Sequence, residues 1–312
     1  MSTTGYRYIY GPVPSRRLGR SLGIDLVPFK ACTYDCIYCQ LGRTTDRTLK
    51  RKEYVPVDGV LEELARKLSD GDAPDFISLA GSGEPTLHDG LGRLISGIKS
   101  MTKIPVAAIT NGSLLWDRDV AEPLMSADLV IPSLDAGDAA MFGRINRPHP
   151  GIDFDRMVRG LVGFRQKYRG RIWLEVMLLD GLNDSEPAVR KIAELAGRIR
   201  PDRVQLNTAA RPPAEGAVRP VPFCRMRELT NLFPAPAEII ASGPGKSAKV
   251  ESEGGNQGEK ILAMLRRRPC TAEDVSKGLG IHRLAALKEL EALAKKGEAR
   301  KAETGGSWFY VA

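Results

Sequence analysis

The chain has 312 residues, enough to bury a full core and to carry a small unit beside a large one. It is 42% hydrophobic and 27% charged, has no apolar run of membrane-spanning length, and starts without the apolar core of a signal peptide. Those features argue against membrane and secreted classes and make the cytoplasm the expected location. Five cysteines are too few for a disulfide framework, so reduced thiols or metal ligands are expected; a formal charge of +8 fits an anionic partner such as nucleic acid, or a solvated basic surface.

In chain order, the first strand candidate is SLGIDLV, starting at Ser21. It runs into KACTYDCIYCQ, which sets Cys32, Cys36 and Cys39 close together. Further strand candidates are DFISLAG, IPVAAIT, DLVIPSL, RIWLEVMLL and DRVQLNT. Between them the apolar spacing predicts helices over Val57 to Ser69, Leu91 to Met101, Arg118 to Ser126, Phe154 to Tyr168 and Ser185 to Ile199. Alternating strands and helices with short connections predict an α/β domain with a parallel sheet. Polar, glycine-rich stretches recur at the strand ends: GSGEP, TNGS and SLDAG. Functional loops at that end are the habit of barrel-type sheets.

Near residue 242 the pattern breaks. Residues 242–257 are rich in Gly, Ser and charge and read as a linker. Beyond it come three helix candidates, the second with Thr271 as its expected N-cap, and a hairpin turning at Gly305 and Gly306. That order is the outline of a winged helix over 258–312, after a core domain over 1–241. Lys and Arg outnumber Asp and Glu in this unit, so it is expected to contact nucleic acid, or else to serve as a protein-contact or packing module. Arg266, Arg267, Arg268, Lys295 and Lys296 are the basic residues expected to do so.

The three clustered cysteines pose a question of valence. A structural zinc site wants four ligands. His88, His149 and His282 lie at no local ligand spacing, and Cys224 and Cys270 are far along the chain. Three thiolates on one loop suit a [4Fe–4S] cluster with one iron left open.

The C-x3-C-x2-C run, with Tyr38 before the last cysteine, resembles the radical S-adenosylmethionine (radical SAM) superfamily. GSGEP, TNGS and SLD are similar to three further motifs of that family, in its order. The resemblance covers about residues 21–210 and implies a partial (β/α)6 TIM-like barrel. It implies Cys32, Cys36 and Cys39 as iron ligands, with S-adenosylmethionine chelating the open iron. Reductive cleavage of that cofactor then gives methionine and a 5′-deoxyadenosyl radical that abstracts hydrogen from substrate. By the same resemblance Tyr38 lies against the adenine, Gly81 and Gly83 admit close approach, and Ser82 and Glu84 bond the methionyl ammonium. Asp135 accepts from the ribose, with Ser133 beside it and Asn111 assisting. An electron donor such as flavodoxin or ferredoxin is implied as a partner.

Substrate-side expectations come from strand alternation. If Ile172, Leu174 and Val176 meet the helices, Glu175 points inward, and Gln205 and Asn207 do so from the next strand. These three are the substrate-side candidates. Arg16, Arg17 and Arg20 either meet an anionic substrate or cover a barrel end, and Lys30 is expected to be solvated. The wider run from Tyr10 to Thr44 is similar to a prokaryotic group related to the tRNA wyosine-base synthases, which points to tRNA or another anionic substrate. Those synthases hold a second cluster on cysteines nearer their N-terminus, and no cysteine precedes Cys32 here, so their pyruvate condensation is not expected. The rival reading is a redox-sensing iron–sulfur regulator that binds nucleic acid. A sensor has no need of the downstream glycine and acid motifs.

Overall fold

The computed structural model describes residues 6–71, 73–240 and 257–312. The linker expected over 242–257 lies outside them but for Gln257. The chain opens with β1 (Ile9–Ser15) and β2 (Gly19–Ile24), then the two-residue strands β3 (Ala31–Cys32) and β4 (Asp46–Arg47). The alternating part follows: α1 (Val57–Ser69), β5 (Phe76–Leu79), α2 (Leu91–Met101), β6 (Val106–Thr110), α3 (Arg118–Leu124) and β7 (Leu129–Pro132). It continues with α4 (Ala139–Ile145), α5 (Phe154–Lys167), β8 (Arg171–Leu178), α6 (Glu186–Ile199), β9 (Arg203–Thr208), α7 (Phe223–Thr230) and β10 (Ala237–Ile239).

Those strands form one sheet in the order β1-β2-β5-β6-β7-β8-β9-β10. Every neighbouring pair is parallel except β1 with β2. The result is the expected partial (β/α)6 barrel, extended by β10 at one edge and by the antiparallel β1 at the other.

Two apolar layers hold it. Ile172, Leu174 and Val176 pack outward into the helix layer, as do the buried residues Val189, Ile192, Ala196 and Ile199 of α6. That spacing of three and four puts one stripe of α6 on the sheet. Trp173 faces the other way and packs with Ala107, Leu129 and Ile131 inside the barrel. Leu18, from the β1–β2 turn, joins this interior group. The turn therefore reaches into the barrel rather than lying over its outside.

The C-terminal unit comprises α8 (Gln257–Leu265), α9 (Ala272–Leu279), α10 (Arg283–Lys295) and the antiparallel pair β11 (Arg300–Thr304) and β12 (Ser307–Val311). It has a core of its own, built from Ile261, Leu265, Val275, Leu290, Leu293 and Tyr310. Thr271 and Asp274 form a reciprocal capping box at the start of α9. α9 packs against β1. Two ion pairs tie the unit to the barrel: Arg211 to Asp274 at 3.3 Å and Arg267 to Asp25 at 3.4 Å. The Arg267 guanidinium also lies 4.1 Å from the centre of the Tyr10 ring. Arg267 and Arg268 are half-buried at this junction, whereas Arg266, Lys295 and Lys296 are exposed. No helix among the described residues is long and apolar enough to cross a membrane.

Candidate active site

Each motif singled out in the sequence sits just past the C-terminal end of a parallel strand: the cysteines after β2, GSGEP after β5, TNGS after β6 and SLD at the end of β7. Neighbouring parallel strands bring those ends together, so four stretches far apart in sequence share one rim.

The cysteine loop is pinned from several sides. The Asp35 and Ile37 amides donate to the carbonyls of Asn146 and Ile145, at the C-terminal end of α4. Asp35 pairs with Arg43 at 2.8 Å, and Arg43 and Arg147 both pair with Glu215. Each cysteine sulfur faces a nitrogen donor. Lys30 Nζ lies 2.9 Å from Cys39 Sγ, Asn146 Nδ2 3.5 Å from Cys36 Sγ, and Asn111 Nδ2 3.6 Å from Cys32 Sγ. Lys30 is thus not solvated as expected. It is 2% exposed, because its ammonium turns inward to Cys39 and to the Gly42 carbonyl at 2.8 Å.

Burial, with the Glu84 charge next, pushes the Cys32 thiol up to about 12. Burial followed by Asp135 pushes Cys36 up as well. Three sulfurs set as acceptors, two of them where burial resists ionisation, are a donor set that suits a cationic partner. Among the described residues, no three His, Cys, Asp or Glu side chains converge as ligands of a single ion. In a multi-iron cluster each cysteine takes a different iron, so such convergence is not required. Cys224 is exposed on α7 and Cys270 is buried in the C-terminal core. The histidines are occupied elsewhere: His88 between Val55 and Gly90, His149 with Gly151, and His282 as the N-cap of α10.

Glu84 is 2% exposed and ties three loops together, its own amide donating to the Ala31 carbonyl of the cysteine loop at 3.0 Å. Its Oε1 accepts from the Thr110 hydroxyl at 2.5 Å and the Thr86 hydroxyl at 2.6 Å; its Oε2 accepts from the Asn111 amide at 2.8 Å. Burial raises its pKa, and these bonds oppose the rise. Gly83 stands so close to the cysteine loop that a Cβ there would lie 1.9 Å from the Ala31 carbonyl oxygen. A Cβ on Gly81 would lie 2.4 Å from Asp25. Asp25 went unremarked in the sequence, yet its carboxylate accepts from the Ser82 amide at 2.9 Å and the Ser82 hydroxyl at 2.5 Å. The Asn111 side chain reaches the Thr33 hydroxyl at 2.7 Å.

Asp135, 3% exposed, accepts from the Tyr38 hydroxyl at 2.5 Å, Asn146 Nδ2 at 2.7 Å and the Met177 amide at 2.9 Å. Burial lifts it to about 6 against those bonds. Asn146 bridges this carboxylate to Cys36, and nothing in the local sequence signalled it. Ser133 forms a backbone bridge with Glu175.

Glu175 pairs with Arg17 at 2.6 Å and accepts from Asn207 Nδ2 at 2.9 Å. Burial would raise its pKa, but the Arg17 charge and these hydrogen bonds hold it below the ordinary value. Gln205 turns instead to Glu238, at 2.8 Å, and leaves its own Oε1 buried without a partner among the described residues. The structure therefore brings Glu175 and Asn207 into contact, while Gln205, opposite Glu175 on β9, donates to Glu238 instead. The Arg20 amide is held by Asp75.

Comparison with known proteins fits this arrangement. The family described as "Radical SAM superfamily" matches residues 26–193. A protein of Brachyspira hyodysenteriae named GTPase Obg is 40% identical over 304 residues, covering 97% of this chain and 45% of that one. The chain thus spans less than half of that relative. A UPF0026 protein of Methanocaldococcus jannaschii is 32% identical over 311 residues, covering 97% of this chain and 95% of its own length. Among solved structures, a radical SAM methyltransferase from Sphaerobacter thermophilus superposes with a TM-score of 0.53 at 16% identity, covering 73% of this chain and 68% of that one. At that identity the likeness is one of fold.

Proposed function

Because this chain belongs to the radical SAM superfamily, we propose that Cys32, Cys36 and Cys39 hold a [4Fe–4S] cluster whose fourth iron is left for S-adenosylmethionine. The observation that carries this reading is the sulfur arrangement: three thiols on one loop, each facing an N–H donor. When bound, the reduced cluster and cofactor supply a 5′-deoxyadenosyl radical, with methionine released, for hydrogen abstraction from the substrate.

The chain's own residues bind and orient. Ser82 and Glu84 lie on the loop beside the cysteines and are assigned to the methionyl ammonium; Asp25 and the Thr110–Asn111 turn fix where those two groups stand. Tyr38, Ser133 and Asp135 are assigned to the nucleoside, with Asn146 and the Met177 amide holding the Asp135 carboxylate in place. Lys30, Asn111 and Asn146 donate to the sulfurs and offset their negative charge. Glu175 and Asn207 form the polar part of the barrel interior and are assigned to the substrate side, with Gln205 near them on β9. A cytoplasmic location and an electron donor such as flavodoxin or ferredoxin go with this reading. The substrate is tRNA or another anionic molecule, and the C-terminal unit, read as a winged helix, is the part proposed to recruit nucleic acid.

The test is anaerobic reconstitution of the full chain. About four irons and four sulfides per chain are expected, lost on replacing any of Cys32, Cys36 or Cys39 with Ala and retained in Cys224→Ala. Reduced protein given S-adenosylmethionine should release 5′-deoxyadenosine without substrate. Iron loss in Cys224→Ala would overturn the ligand set. A cluster that reduces but never cleaves the cofactor would favour the redox-sensing regulator.

A further inference from the structure

At the turn that leads into the cysteine loop, the ordinary order of inside and outside is reversed. Phe29 is 56% exposed, whereas Lys30 beside it is 2% exposed. Lysine is almost never fully buried unless something pairs with it. The backbone is held on both sides of this residue. The Ala31 amide donates to the Pro28 carbonyl at 2.9 Å, and the Asp46 amide donates to the Lys30 carbonyl at 3.3 Å.

The Lys30 ammonium meets Cys39 Sγ at 2.9 Å and the Gly42 carbonyl at 2.8 Å, and no carboxylate pairs with it among the described residues. A buried cation without an anion is costly, so the charge that answers Lys30 is that of a Cys39 thiolate. The other two sulfurs differ. Cys32 faces the Asn111 side-chain amide at 3.6 Å and Cys36 that of Asn146 at 3.5 Å, both neutral donors. Only the Cys39 sulfur has a full charge in contact with it.

Charge arithmetic gives that contact a consequence. A doubly positive [4Fe–4S] core on three thiolates carries one negative charge overall. One electron taken from the reductant raises it to two, with no bond formed or broken. A fixed positive charge beside a ligating sulfur stabilises the second state more than the first, and burial keeps salt from screening it. Resting on the radical-enzyme reading, we propose that Lys30 raises the reduction potential of the cluster, acting through Cys39. Because the contact also steadies Cys39, potential rather than iron content separates this role from a structural one.

The experiment is an anaerobic redox titration of the reconstituted full chain, with the reduced cluster counted by electron paramagnetic resonance. In Lys30→Met the midpoint should move to more negative potential, by roughly tenfold in the reduced-to-oxidised ratio, which is about 59 mV for one electron. Lys30→Arg keeps the charge and should stay near wild type. Lys50→Met removes a charge at an exposed position and should titrate as wild type does. The Lys30→Met displacement should persist at high salt. Equal midpoints in wild type and Lys30→Met would overturn the proposal, as would a shift to more positive potential. Should Lys30→Met load no iron, Lys30→Gln takes its place; iron loss in both would also overturn it, since Lys30 would then be a prop for the loop. The radical reading fails separately. Wild type that takes up no iron sinks that reading, whereas loaded wild type with the midpoint of Lys30→Met sinks the role of Lys30 alone.

Discussion

Glu175 shows how much a single side chain depends on its neighbours. A carboxylate in the barrel interior is stable only because Arg17 and Asn207 meet it. Removing one partner of such a pair strands the other. Glu175→Ala is expected to cost about 3–5 kcal/mol, and Arg17→Ala/Glu175→Ala less than the two single changes together; denaturant melts of the four forms measure this. The pH dependence follows from the depressed pKa. The carboxyl binds its proton less tightly folded than unfolded, so its contribution is present above the ordinary glutamate value and lost as pH falls through the folded one. Glu175→Gln should therefore flatten the acid limb of melting temperature against pH. An unchanged limb would mean that other carboxylates govern it.

At the level of elements, much of the frame was readable. The limits of α1 and α2 match the apolar spacing of the sequence, and all six strand candidates became strands. β1 was not expected, because its IYGPVPS mixes Gly and Pro into a run with no clean alternation. α4 escaped too, although Asp138 caps it by accepting from the Met141 amide. With α4 went Asn146, whose role rests on contacts with Cys36 and Asp135 that no local pattern encodes. Asp25 and Lys30 were hidden for the same reason: each acts across a loop-to-loop gap, and sequence spacing reports only on neighbours along one element. Gly81 and Gly83 were visible as glycines, but what they approach was not. Gly83→Ala drives a methyl group into the Ala31 carbonyl and the Val27 side chain, so the GSGE loop and the cysteine loop cannot keep their spacing. Its reconstituted iron content is expected to fall well below wild type, read by iron assay beside a circular dichroism spectrum that stays the same. Full iron content would show that the loops part without cost to the cluster.

The whole molecule closes on itself through its C-terminal unit. Arg267 spans the junction, stacked on Tyr10 and paired with the same Asp25 carboxylate that accepts both Ser82 donors. Arg267→Ala removes the cation that fixes that carboxylate in place and a contact that holds the unit down. S-adenosylmethionine affinity in equilibrium dialysis is expected to drop several-fold with the iron content unchanged. An unaltered affinity would show that Asp25 places Ser82 without help from the C-terminal unit. The packing of α9 on β1 has a consequence for how the chain is made. β1 is an edge strand, and a bare strand edge invites pairing with other chains. It is the first described strand to leave the ribosome, while α9 is among the last helices, so the nascent barrel carries an uncovered edge for most of its synthesis. Shortened chains that lack α9 keep that edge permanently, and aggregation is the fate this geometry assigns them.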